Sequence, residues 1–415
     1  MNHANSRERA RQFHASYHGR HAQRSLQQPT AQHHTDGFKT PEVVASAEEQ
    51  HPSTNTAGPL VKPKKTFKSR LRSITKKQWI IIGVAAFLVL GGLTTWLLWP
   101  SKEPVKVQVV ADPEAPPPAP TTVASNLTGL QVDPSVNGRP VTGIMIENSL
   151  DARPQSSLSQ AGVVFEAIAE GGITRFLTLW QDTEPDYIGP VRSVRPYYLQ
   201  WTLGFDAPIA HVGGSADALV LIKRWGVKDL DQFANSKAYW RIPSRAAPHN
   251  VYTSIANLRA VETSKGWTSS AYTGFARAEA ESPIAVPTAR TIDLNISSAN
   301  YNVHYDYDPT TNSYKRSEGG KAHVDERTNA QLTPKVIVVP IMAQGSNGKY
   351  TTYETLGTGP VYVFQNGSVV QGNWRKENNN ANFVFTYPDG SPLKLIPGQT
   401  WVTVVGAASR ITYAP

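Results

Sequence analysis

The hydrophobic positions of this chain follow three patterns, which change near residues 79, 127 and 289. Residues 79–99 read WIIIGVAAFLVLGGLTTWLLW, a run of 21 without a charge. As a helix it would cover roughly 30 Å, the thickness of a bilayer's hydrocarbon core. Trp79 stands at one end and Trp96 and Trp99 at the other, where amphipathic rings favour the headgroup level. Pro100 then stops the helix. Between 127 and 275 strand and helix periods mix. Residues 141–146 read as a strand, and 163–169 and 173–180 flank Gly171-Gly172 as a hairpin. A helix is predicted from Pro196 to about 205, then a buried strand over 207–212, a Gly213-Gly214-Ser215 turn, and a helix over 216–225 closed by Gly226. From 289 to 412 the runs are short and alternating (302–307, 335–341, 361–364, 382–387, 401–405), divided by Asp308-Pro309, Asn366-Gly367, Asp389-Gly390 and Pro397-Gly398. The pattern predicts an α+β protein, membrane-anchored, with a mixed α/β N-terminal domain at 127–275, a linker at 276–288 and a mostly β C-terminal domain at 289–412.

Charge fixes the orientation of the apolar helix. Residues 1–78 hold 14 of the 41 Lys/Arg but only 5 of the 32 Asp/Glu, so the whole net charge of +9 precedes the helix. Eight cations (Lys62, Lys64, Lys65, Lys68, Arg70, Arg72, Lys76 and Lys77) stand immediately before it with no acid among them. Positive flanks stay inside, so the sequence predicts a single-pass protein of the cell membrane with a cytoplasmic N-terminus and an extracytoplasmic C-terminal region. Membrane lipids are the expected partners of residues 62–99. Residues 1–78 are otherwise polar, with seven of the eleven histidines, and read as a disordered tail. A basic excess confined to an aromatic-poor tail does not predict nucleic-acid binding by the folded part. Residues 100–126 include DPEAPPPAPTT, a Pro-rich spacer. There is no cysteine, which excludes disulfides, thiolate metal sites and an acylated N-terminal cysteine.

Candidate chemistry falls into four sets. Gly213, Gly214 and Ser215, between a strand and a helix start, offer free backbone N–H groups to an anion, or Ser215 serves only as an N-cap. Arg153, Arg175, Arg192 and Arg195 could recognise carboxylate or phosphate bidentately, or pair with Glu147, Glu166 and Glu170. Glu166, in the middle of a strand, is expensive unless paired or functional, and with Glu170 or Glu147 could supply two catalytic carboxyls. His249, and His323 with Asp325, place imidazoles beside polar groups, so the catalytic candidates are Glu166, Glu170, His249 and Asp325. No H-E-x-x-H spacing occurs, and no metal or other cofactor is expected.

The stretches GRPVTGIMIENSLDARPQSSLSQAGVVFEAIAEGGITRFLTLWQ, IGPVRSVRPYYLQW, HVGGS and APHNVYTS, then YDYDPTTNSYKR, HVDERTNAQL and LIPGQTWVTVV, resemble the YerB-like family of bacterial envelope proteins. They cover nearly all of 127–407. The resemblance implies paired N- and C-terminal domains of unknown function held outside the membrane, usually as a lipoprotein. Here the lipid-bearing cysteine is missing, and the helix at 79–99 stands where that anchor would be. The expected function is binding or scaffolding at the cell wall through an Arg-rich anion-binding cleft, with a wall polymer or an envelope protein as partner. The alternative is a hydrolase or transferase acting on wall glycan or peptide.

Overall fold

The computed structural model describes residues 76–98, 121–281 and 283–415. The polar tail with the cations up to Arg72, the ring of Trp79, Trp99 and most of the Pro-rich spacer lie outside the described residues. The chain divides into two units, Met1–Val109 and Val110–Pro415. In the first, Lys76–Leu97 is one helix of 22 residues. The side chains of Ile80, Ile81, Val84, Phe87, Leu88 and Val89 are all exposed on it. Some of its other side chains lie outside the description, and counted on described residues alone no helix is long and apolar enough to cross a membrane.

The second unit is mostly β with few helices, and a single mixed sheet of ten strands runs through it. In spatial order the strands are Val384–Thr386, Ser368–Lys376, Gly357–Gln365, Val336–Pro340, Thr400–Thr403, Val163–Glu170, Ile173–Trp180, Thr142–Glu147, Ile209–His211 and Asp229–Asp231. The first five come from the C-terminal half of the chain and the last five from the N-terminal half. They join where Thr400–Thr403 lies parallel to Val163–Glu170, with Thr400 opposite Val163 and Thr403 opposite Glu166. The break in pattern at 276–288 therefore separates two stretches of sequence that share one sheet. A second sheet of five strands, in the order Lys321–Ala322, Ser313–Glu318, Val303–Asp308, Thr291–Leu294 and Ile411–Ala414, belongs wholly to the C-terminal half.

The period of two decides which residues go where. Along Val163–Glu170, the residues Val163, Phe165 and Ala167 enter one core with Val338, Val402 and the aromatic face of the helix Pro196–Leu203. Val164 enters a second core with Trp180 and Trp401, and Ile168 a third with Tyr305, Tyr314 and Ile337. Glu166 shares the face of Val164 and Ile168 and is 0% exposed, so a carboxylate sits where an apolar residue would be expected.

The predicted helix over 216–225 is Ala216–Trp225, ending on Gly226 at φ +63, a conformation that glycine adopts without strain. The hairpin Val163–Glu170 with Ile173–Trp180 turns on Gly171 and Gly172, both at positive φ. The run expected at 361–364 is the middle of a nine-residue strand, Gly357–Gln365, paired through Asn366-Gly367 with Ser368–Lys376, which the apolar pattern does not predict.

Candidate functional site

Glu166 meets its partner across the two sheets. On the strand Ser313–Glu318, alternation turns Tyr314, Arg316 and Glu318 inward while Lys315 and Ser317 face out. Arg316 donates through Nη2 to Glu166 Oε2 at 2.8 Å, and both side chains are 0% exposed. Thr174 and Thr403 donate to the same carboxylate at 3.2 and 3.3 Å. The guanidinium also lies 4.4 Å from the centre of the Trp401 ring, a favourable cation–π placement. Burial opposes the charge on Arg316, but Glu166, Tyr305 and Glu318 together raise its pKa further above the ordinary arginine value. A charge pair this deep persists because the two charges neutralise each other and both oxygens of Glu166 and both terminal nitrogens of Arg316 are hydrogen-bonded, while Arg316 Nε is buried without a partner.

The network continues outward. Arg316 Nη1 lies 2.8 Å from His323 Nδ1, and His323 Nε2 lies 2.9 Å from Gln155 Oε1. Burial, with Arg316 and Arg153 nearby, pushes the imidazole well below its ordinary pKa, so it is neutral; Nδ1 accepts from Arg316 and Nε2–H donates to Gln155. Gln155 donates to Asn148 Oδ1 at 2.8 Å, and Asn148 donates to Glu318 Oε1 at 2.7 Å. Arg153 joins the same carboxylate at 3.1 Å and donates to Asn148 and to the Asn300 carbonyl. Burial pushes the Glu318 carboxyl up to about 7; Arg316 and Arg153 oppose the rise and Glu166 adds to it. A cleft of about 450 Å³ opens above Glu318 and His323, with Arg153 and Lys321 on its walls.

The remaining candidates form two further sets. Glu170 is held between Arg175, at 2.8 Å, and Arg195, at 2.5 Å. Burial alone would raise its pKa, but the two guanidinium groups outweigh burial and hold it below the usual carboxylate range. Tyr350 covers the outer face of Arg195 at 4.5 Å. Glu147 takes Arg192 at 3.4 Å and His249 Nδ1 at 3.0 Å, with Ser149 donating to it at 3.0 Å. Both Ser149 and Glu147 address Nδ1 of His249. The carboxylate facing Nε2, the exposed Asp151, is 3.9 Å away, beyond hydrogen-bond distance, so no acid is bonded to the ring opposite Ser149 as a nucleophile's imidazole requires.

Two candidates serve the fold. Asp325, 0% exposed, accepts from the backbone of Ser157, Ser159 and Arg327, which ties the C-terminal half to the loop before Val163–Glu170. Gly213 donates its N–H to Asp231, and Ser215 donates its N–H to Val194, so two of the three amides that might greet an anion are already engaged. Ser215 is the N-cap residue of Ala216–Trp225, but its hydroxyl caps nothing and is buried without a partner. Among the described residues, no group of three His, Asp or Glu is placed to hold a metal.

The structure thus gathers Arg175, Arg195 and Glu170 into one set, Arg192, His249 and Glu147 into a second, and Glu166 with Arg153 into the buried network. The four arginines are shared among three carboxylates: Glu170, Glu147 and Glu318. Sequence reasoning missed Arg316 and Glu318, because charges at alternate positions of a strand beside Lys315 read as a solvated face. The available signal was Tyr314 at the same period, two residues before Arg316.

The two stretches of sequence that build this β-rich unit each match a domain of one known family. The chain matches the N-terminal domain of the family described as protein of unknown function (DUF3048) over residues 127–268, and the C-terminal domain of the same family over 292–402. It is 30% identical over 288 residues to YerB of Bacillus subtilis (strain 168), a lipoprotein by name, covering 67% of this chain and 85% of YerB. The crystal structure of the B. subtilis YerB protein superposes with a TM-score of 0.65 at 27% identity, over 71% of this chain and 100% of that one. The protein belongs to this YerB-like family, with its two domains of unknown function.

Proposed function

We propose that this protein is a membrane-tethered, extracytoplasmic member of the cell envelope that binds or scaffolds there, with a wall polymer or an envelope protein as partner. One observation carries the preference for binding over catalysis: the four catalytic candidates, Glu166, Glu170, His249 and Asp325, are held in four separate places. Glu166 is sealed beneath two sheets, Glu170 is neutralised by two arginines, His249 is engaged by Glu147, and Asp325 caps a loop. An acid–base pair must reach one substrate bond, and no two of these do.

The tether is supported by the charge-free run at 79–99, by the exposed apolar side chains of Lys76–Leu97, and by the eight preceding cations. Its relative YerB is a lipoprotein by name; in this cysteine-free chain the apolar helix takes over the anchoring. The test is retention of isolated cell-wall material by the full-length protein in proteoliposomes. Retention without release of soluble sugar or peptide is expected. Release that disappears in Glu170→Gln or His249→Ala would move the protein to the hydrolases.

A further inference from the structure

The cleft above the buried network has a built floor and a charged mouth. At the floor, the Glu318 side chain is 2% exposed. Its Oε1 is held by Asn148 and Arg153, while its Oε2 is buried with no hydrogen-bond partner. At the mouth stand Arg153, 17% exposed, and Lys321. Glu318 and Lys321 are cross-strand partners on either side of Gly319-Gly320, both at positive φ, so the turn sets the two residues opposite each other. Lys321 is exposed and makes no ion pair among the described residues.

We propose that this cleft binds a small oxyanion, a carboxylate or a tetrahedral phosphate-like group, between Arg153 and Lys321. The proposal rests on the binding reading above and gives it a place and a ligand charge. The cations on the walls outnumber the one acid, and guanidinium with ammonium is the ordinary pairing for such a group. An anion that takes Arg153 removes part of the counter-charge from Glu318. That carboxyl faces Arg316 on its own strand, His323 across the turn, Arg153 and Asn148 on the loop, and Glu166 from the other sheet. With its acid already raised to about 7, the site answers the arriving anion by taking up a proton on Glu318. Anion binding is then tighter below neutral pH, because only the protonated fraction accepts the ligand at full affinity.

The experiment is titration calorimetry on the purified full-length protein in detergent, with acetate and with sulfate at pH 6 and pH 8. Neither anion titrates in that range, and they separate a carboxylate from a tetrahedral group. Binding of at least one is expected, about tenfold weaker at pH 8. Lys321→Gln, at an exposed position, should weaken it about tenfold at both pH values with an unchanged melting temperature. Glu318→Gln should bind at both pH values alike. Binding of neither anion, indifference to Lys321→Gln, or a pH dependence that survives Glu318→Gln would each overturn the proposal. The result is independent of wall retention: an oxyanion site without retention contradicts the envelope reading and leaves the cleft standing.

Discussion

Arg316 and Glu166, 150 positions apart, meet at 2.8 Å between two sheets with neither side chain in contact with water. Removing one partner strands a buried charge, while the intact pair contributes little beyond an apolar equivalent. Glu166→Gln and Arg316→Met are each expected to lower stability by about 3–5 kcal/mol in urea unfolding. A loss under about 1 kcal/mol in both would show that the pair is solvated.

Glu170 makes the same argument at the surface of the fold. Its carboxyl is held low by Arg175 and Arg195, so its contribution to stability is present above the ordinary glutamate pKa and is lost as pH falls through the lowered native value. Glu170→Gln should therefore destabilise at pH 7 and converge with the parent protein in acid. A difference that stays constant from pH 7 to pH 3 would contradict the double clamp.

Arg192→Lys and Arg195→Lys separate structural pairing from ligand recognition. Arg195 holds Glu170 through both Nε and Nη2, a fork that lysine lacks. Arg195→Lys is expected to lower the melting temperature, and Arg192→Lys, whose contact is 3.4 Å and partly exposed, to leave it nearly unchanged. The reverse order would show that Glu147, and not Glu170, anchors the region.

Glu318 predicts the opposite pH trend from Glu170. Its acid is raised from the ordinary 4.5 to about 7, so the folded state binds more protons than the unfolded chain between those values. Its contribution to stability falls as pH rises through that window and is constant above it. Thermal unfolding from pH 5 to pH 7 should show Glu318→Gln gaining on the parent protein as pH rises. A parallel pair of curves would place this carboxyl at an ordinary pKa.

Much of the fold could be read from local pattern. The helix Ala216–Trp225 declares itself by its period and by Gly226, and the hairpin at Gly171-Gly172 by two apolar runs around a glycine pair. The shared sheet could not be read, because the pairing of Thr400 with Val163 depends on contacts between distant segments and not on either segment's composition. Ser368–Lys376 was hidden for another reason: most of it is partly or fully exposed, so SVVQGNWRK carries little apolar alternation. At the candidate site, Glu166 was conspicuous as a charge inside an apolar strand. Its partner was not, since the burial of Arg316 follows from the second sheet lying over the first.

Orientation tests the account's central claim most directly. A reporter enzyme active only outside the cytoplasm, fused after Pro415 of the full-length protein, should be active in intact cells, and the same reporter fused before Met1 should be silent. A silent fusion after Pro415 with an active one before Met1 would place the folded unit inside the cell and contradict an extracytoplasmic binding protein.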